Sequence, residues 1–350
     1  MASLTAPLQR SDSAVAGALT ARRRLFGLLV LVSALAVVLV LSIVSGANPL
    51  PLGEVWRVLA APDGSEASSI VWSLRLPRTL AGVVSGAAFG VAGALIQAIT
   101  RNPLADPGIL GVNAGAGFAI TVGVALFGVT GIAGYVWFSF TGAVAATVLV
   151  YLIGAAGRGA VSPVTLVLAG IALAAVLTAC STFLQLIDEE TFRSFRNWSL
   201  GSLARVSVPD TLTVLPLIAA GLLLALLSAG ALNAVSLGDE QAASLGANVI
   251  RTRTIGLIAV TLLAGGATAL TGGIAFVGLA VPHLVRWFTG PEQRWIIACT
   301  ALASPVLVIG ADVLGRVIAR PGEIEAGVVA AVIGAPVLIA LVRRRKASGL

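Results

Sequence analysis

Apolar runs of about 17–25 residues, separated by short polar breaks, recur from Leu25 onward, each long enough to cross the hydrocarbon core of a bilayer. They do not alternate apolar with polar positions and are too long for barrel strands, so the need to pair every backbone group in lipid predicts helices. The pattern predicts an all-α polytopic membrane protein with about ten transmembrane helices, at 25–45, 78–99, 109–129, 133–154, 164–187, 211–231, 254–270, 274–287, 295–312 and 325–342. The eighth is the shortest. The first follows Arg22, Arg23 and Arg24 with no small-residue cleavage site, and reads as a retained span.

Composition agrees. The 350 residues are 58% hydrophobic and 11% charged, with a mean hydropathy of +1.02, whereas a soluble domain carries roughly a quarter charged residues. An even number of spans places both termini on one side. That side holds 14 of the 22 basic residues and 5 of the 15 acidic ones, including Arg22–Arg24, Arg158, Arg343–Arg345 and Lys346, so it is expected to be cytoplasmic. The net charge of +7 then follows from orientation in a lipid membrane and gives no reason to invoke nucleic acid. The division is a cytoplasmic tail at 1–24, one transmembrane domain at 25–345 with a long cytoplasmic loop at 232–253, and a cytoplasmic tail at 346–350.

Several kinds of chemistry lack their residues. There is no phosphate-binding G-x-x-x-x-G-K-[ST] loop, and the single lysine is Lys346. Asp312 and Glu325 lie near span ends, away from mid-span positions where ion-coupled carriers keep carboxylates. His283 is the only histidine, without a Cys/His cluster around it, and reads as a helix-end residue. Cys180 and Cys299 read as small packing residues inside apolar runs. No cofactor and no catalytic group are expected.

Four local patterns remain. Gly82, Gly86, Gly90 and Gly93 form a small-residue stripe that allows close helix approach. Thr178, Ser181, Thr182 and Gln185 share one helix face, which either lines a watery route or hydrogen-bonds a neighbouring helix. "SLGDEQAASLG" at 236–246 predicts a short helix with Asp239 and Glu240 in its first turn and Gly246 at its end. It is either a solvated loop helix or a docking element. "RLPRTL", from Arg75, places two arginines ahead of an apolar run. Pro77 could simply start the span, Arg78 anchor to headgroups, and Arg316 pair with Asp312 one turn earlier.

Taken together, "RLPRTLAGVVSGAAFGVAGALIQAITRNPLADPGILGVNAGAG" (75–117), "LGDEQAASLG" (237–246), "GGIAFVGLAVPHLVR" (272–286) and "ADVLGRVIARPGEIEAGVVAAVIGAPVL" (311–338) resemble permease subunits of the FecCD type. Those belong to ATP-binding cassette importers of ferric siderophores, haem and cobalamin. The resemblance implies a non-enzymatic permease, here most consistent with ferric-siderophore import, that pairs with a second identical or homologous permease, two ATPase subunits and an extracytoplasmic substrate-binding protein. It implies docking of that protein on Arg75, Arg78 and Arg316. It also implies ATPase coupling through Leu237, Gly238, Asp239, Glu240, Ala243, Leu245 and Gly246, and a translocation path along Thr178, Ser181, Thr182 and Gln185. Two positions depart from the family: Gln293 stands where histidine is frequent, and Glu325 where proline is common. The alternative is a secondary transporter of a small organic solute driven by an ion gradient; a polytopic membrane enzyme would need a clustered acid–base site.

Overall fold

A computed structural model describes residues 8–129, 131–155 and 163–343. Arg158, Arg344, Arg345 and Lys346, used above for orientation, lie outside these residues.

The described residues contain helices and no strands. In order they are α1 (Leu8–Val44), α2 (Leu52–Ala60), α3 (Glu66–Ser69), α4 (Leu76–Thr100), α5 (Val112–Phe127), α6 (Ile132–Ala155), α7 (Pro163–Ile187), α8 (Glu189–Ser199), α9 (Val208–Ser236), α10 (Asp239–Ser244), α11 (Val249–Thr271), α12 (Val277–Thr289), α13 (Gln293–Ile318) and α14 (Ala326–Arg343). A π-type turn at Ile70–Arg75 runs straight into α4, and a 3-10 turn at Pro107–Leu110 precedes α5. Every span predicted from the sequence finds a helix. Among the described residues, seven stretches are long and apolar enough to cross a membrane, and α5 and α14 are shorter apolar helices.

The eighth crossing has a different construction. With 13 residues, α12 reaches only about 20 Å, well short of a bilayer core. The chain leaves α11 at Gly272, runs without helix through Phe276, and then starts α12; Gly272 and Phe276 both have positive φ, +75° and +67°. Non-helical backbone at such depth is tolerated only where protein covers it. Here Gly272 and Ile274 are buried, Gly272 against the Trp198 carbonyl, and just past the break Gln97 of α4 donates its side-chain nitrogen to the Gly278 and Leu279 carbonyls, each at 3.2 Å. This broken crossing explains the "TGGIAF" sequence, which a span predicted from hydropathy alone does not distinguish.

The middle of the bundle is α4, packed between α9, α11, α12 and α13. Its glycine stripe does what the spacing predicts. A side chain at Gly82 would run into Ile309, one at Gly86 would lie 2.7 Å from the Pro305 Cα, and one at Gly90 would overlap Ser304. Gly93 continues the stripe onto α12, against the backbone of Gly278. By contrast α1, α7 and α9 leave much of their apolar surface outside the single chain, as helices facing lipid or another subunit do.

Gly86→Val should therefore destabilise the detergent-solubilised protein by about 1–3 kcal/mol, the usual range for overpacking, because Pro305 contributes main chain that no rotamer change can move. Gly310→Ala, which meets nothing within 4 Å, is the matched control. Thermal unfolding followed by intrinsic fluorescence checks both, and equal midpoints for the two variants would contradict the packing.

Candidate functional site

Two polar clusters sit at opposite ends of α4, whose 25 residues span about 37 Å. The first gathers all three arginines singled out in the sequence. Their residues are 3% (Arg75), 7% (Arg78) and 2% (Arg316) exposed, so none presents a free guanidinium at the surface of the single chain.

What holds them there is main chain and carboxylate. Beyond the Leu41 carbonyl, which accepts from the Ser45 N–H at 2.8 Å, the last carbonyls of α1 have no partner within the helix. Arg75 donates to the Ile43 and Val44 carbonyls at 2.8 and 2.7 Å and to Asn48 at 2.7 Å. Arg316 donates to the Ser42 and Ser45 carbonyls at 3.1 and 2.9 Å. Two cations thus satisfy the negative end of the α1 dipole. Between them, Asp312, 1% exposed, accepts from Arg78 Nε through both oxygens at 2.9 and 3.0 Å and pairs with Arg316 at 2.9 Å. Arg78 also reaches Glu323 at 2.7 Å. The pairing of Arg316 with Asp312 one turn earlier is present, and Arg78 joins it. Arg75 alone of the three has no carboxylate partner among the described residues. All three line a recess of about 330 Å³ together with Asn48, Glu66, Ala204 and Glu323.

The second cluster lies where α4 ends. Arg101 takes a left-handed conformation there, φ +51°, uncommon for a side chain of this size. It is held by Nε donation to the Val235 carbonyl at 2.8 Å and by an ion pair with Asp239. Arg253 of α11 pairs with the same carboxylate at 3.0 Å. Asp239 opens α10, the short helix expected at this point, and Gly246 closes it at φ +81°. The loop is thereby fixed to α4, α9 and α11. Leu237, Leu245 and the neighbouring Ile250 are 61%, 67% and 71% exposed, and Glu240 and Ala243 are exposed beside them. Gly238, at φ +122°, is half-buried behind.

The polar stripe on α7 divides. Thr178 and Thr182 are exposed and Gln185 half-buried, but Ser181 is buried, its hydroxyl donating to the Leu177 carbonyl of its own helix at 2.8 Å. Thr182 likewise bonds back to Thr178, at 2.9 Å.

Three further features bear on these clusters. Gln97, fully buried, accepts from Arg286 Nη1 at 2.5 Å while clamping the first turn of α12. Glu325, at the position that departs from the family, accepts from Ser202 at 2.8 Å and so joins the loop after α8 to the start of α14. Near the Arg101 end, burial pushes the Asp106 carboxyl above the usual range, partly offset by the Gly108 N–H it accepts at 2.8 Å. The Gln97 and Glu325 contacts join residues far apart in the chain and have no local signal, whereas the Asp106 cap is local and legible as an Asp-Pro pair.

The model of the FecCD transport family matches residues 34–344. The chain belongs to that family. Among its relatives, the ferric enterobactin transport system permease protein FepD of Escherichia coli (strain K12) is 48% identical over 324 residues, covering 92% of this chain and 96% of that protein. The hemin transport system permease protein HmuU of Yersinia pestis is 35% identical, over 89% and 95% of the two chains. A solved metal-chelate type ABC transporter in an inward-facing conformation superposes with a TM-score of 0.80 at 27% identity, over 92% of this chain and 99% of its own. The FecCD chain described here is accordingly a multi-pass ABC-transporter permease, a transport protein of the iron-siderophore and related import class.

Asp312→Asn would leave the Arg78 and Arg316 guanidiniums buried without their shared countercharge. Breaking a buried pair on one side costs about 3–5 kcal/mol, so its unfolding midpoint should fall far more than that of Glu323→Gln, whose side chain is 31% exposed. Differential scanning fluorimetry of the purified variants makes the comparison.

Proposed function

We propose that this FecCD permease serves a binding-protein-dependent importer of ferric siderophores. Two permease copies, identical or homologous, enclose the translocation path, two separate ATPase subunits drive it, and an extracytoplasmic binding protein delivers the cargo. Both termini and the α10 loop face the cytoplasm, and the arginine recess faces outward, in the inner membrane. The observation that carries this reading is mechanical: one buried helix, α4, ends in the arginine recess on one side and in the Arg101–Asp239–Arg253 tie to α10 on the other.

Docking at the recess uses the charge of Arg75, which main-chain carbonyls hold without neutralising, while Arg78 and Arg316 keep the wall in place through Asp312. At the other end Leu237 and Leu245 present apolar surface to the ATPase, with Gly238, Asp239, Glu240, Ala243 and Gly246 shaping the helix between them. ATP-driven closure of the ATPase pair moves α10, and the ion pairs of Asp239 convey that movement to α4, α9 and α11. Thr178, Ser181, Thr182 and Gln185 of α7 face the path between the two copies, with the exposed threonines nearest the cargo. Ferric siderophore is favoured because FepD, matched along nearly all its length, is by name a ferric enterobactin permease.

The test is reconstitution of the chain with its ATPase and binding protein in liposomes. ATP-dependent uptake of a ferric siderophore is expected, and uptake by the chain alone under an ion gradient would replace the importer with a secondary carrier. Leu237→Asp with Leu245→Asp should abolish ATPase co-purification while the permease still folds, because both side chains are exposed in the single chain.

A further inference from the structure

A second recess, of about 240 Å³, lies beside the arginine recess at the same end of the bundle. It is formed where the start of α6, α8, the loop after α8 and the end of α11 meet; Tyr135, Ser194, Asn197 and Arg205 supply its unengaged polar groups, while the Ser202 and Thr271 hydroxyls that also line it are bonded to Glu325 and to main chain. The two recesses share one wall: Ala204 lines the first and Arg205 the second.

Its chemistry is one-sided. Arg205 is exposed and has no ion-pair or hydrogen-bond partner among the described residues. The Trp198 indole N–H is fully buried and donates to nothing. Tyr135, Ser194 and Asn197 likewise bond no described residue through their side chains. No carboxylate lines the space, and Glu325, which Ser202 engages at 2.8 Å, is not one of the lining residues. An exposed guanidinium, an amide and the two unbonded hydroxyls of Tyr135 and Ser194 around one small opening, without an anion to satisfy them, suit an incoming carboxylate. A neutral apolar group would leave the guanidinium and the amide unpaired, which is costly once water is excluded.

We propose that this recess receives an acidic side chain of the extracytoplasmic binding protein, giving the permease a second docking contact with Arg205 as its cation. The proposal rests on the importer reading above. The recess, about 240 Å³ and open to the surface, admits a carboxylate side chain. The position also continues the docking face, and the arginines of the neighbouring recess are already held by carbonyls and by Asp312. An accessible, unneutralised guanidinium steers a negatively charged partner more effectively than a buried one.

The experiment measures association of the iron-loaded binding protein with the assembled permease–ATPase complex in nanodiscs, by surface plasmon resonance over a range of salt concentrations. Arg205→Glu should weaken docking by about tenfold or more, mainly through a slower on-rate with a flatter salt dependence. Arg205→Lys should recover much of the on-rate, and Asn197→Ala should lose affinity through faster dissociation. Co-purification of the ATPase should be unchanged in all three. Restoration of Arg205→Glu docking by an acid-to-lysine change on the binding protein would identify the partner carboxylate. If the wild-type complex docks and Arg205→Glu and Asn197→Ala dock equally well, the recess proposal is overturned while the importer reading stands. If the wild-type complex binds no binding protein at all, the importer reading fails and takes this proposal with it. Saturable binding of a free trianionic ferric tris-catecholate, lost in Arg205→Glu with docking unchanged, would make the recess a cargo subsite and overturn the docking role.

Discussion

Asp312 is the carboxylate around which one end of this permease is built. Held between Arg78 and Arg316, it lets two guanidiniums lie almost wholly inside the protein with a shared countercharge, whose loss from such a site costs about 3–5 kcal/mol. Those guanidiniums in turn, with Arg75, let α1 finish its helix against protein instead of water. Remove the central charge and the carbonyls of α1, the start of α4 and the last turns of α13 lose their common reference point. Burial here is not a stability device in itself, since an apolar cluster of equal volume could do as well. It fixes the relative register of three helices that are far apart in sequence.

The opposite half depends on a neutral counterpart. Gln97 gives two bonds to the backbone that opens α12 and takes one from Arg286, so an interrupted crossing is stitched to an uninterrupted one. Interrupted helices are where many transporters place their binding sites, because main-chain groups there are free of the helical ladder. The rigid α4 and the broken crossing lie against each other at Gly93 and Gly278, where neither chain has a side chain to interpose.

Much of this was readable before any coordinates. Hydropathy located the spans, Asp239 and Gly246 bounded α10, and the spacing of Gly82, Gly86 and Gly90 foretold a close helix contact. Each is a local or periodic signal. Burial of Arg75 and Arg316 was not readable, because a charged motif at a span end looks the same whether it meets water or the carbonyls of another helix. The stripe on α7 was legible as a face but not as a division of that face, since Ser181 differs from Thr178 and Thr182 only in which neighbours surround it. The recess at Arg205 has no linear signature whatever: Tyr135, Asn197, Arg205 and Thr271 come from four segments. The break before α12 was half legible, as glycines inside a span already noted to be short.

The contact of α4 with α13 has a further property at Gly86, where main chain meets main chain. A seam of interlocking leucines is compliant: each rotamer can yield a little, and displacement applied on one side is partly absorbed before it arrives on the other. At Gly86 the neighbouring surface is the main chain of Ser304 and Pro305, joined to its own helix by covalent geometry alone. Strain entering along this line has no soft torsions in which to dissipate, so the two helices behave as a single stiff beam. Their charged ends, at Asp312 and at Arg101, are then clamps on one beam whose ends stand on opposite sides of the bilayer.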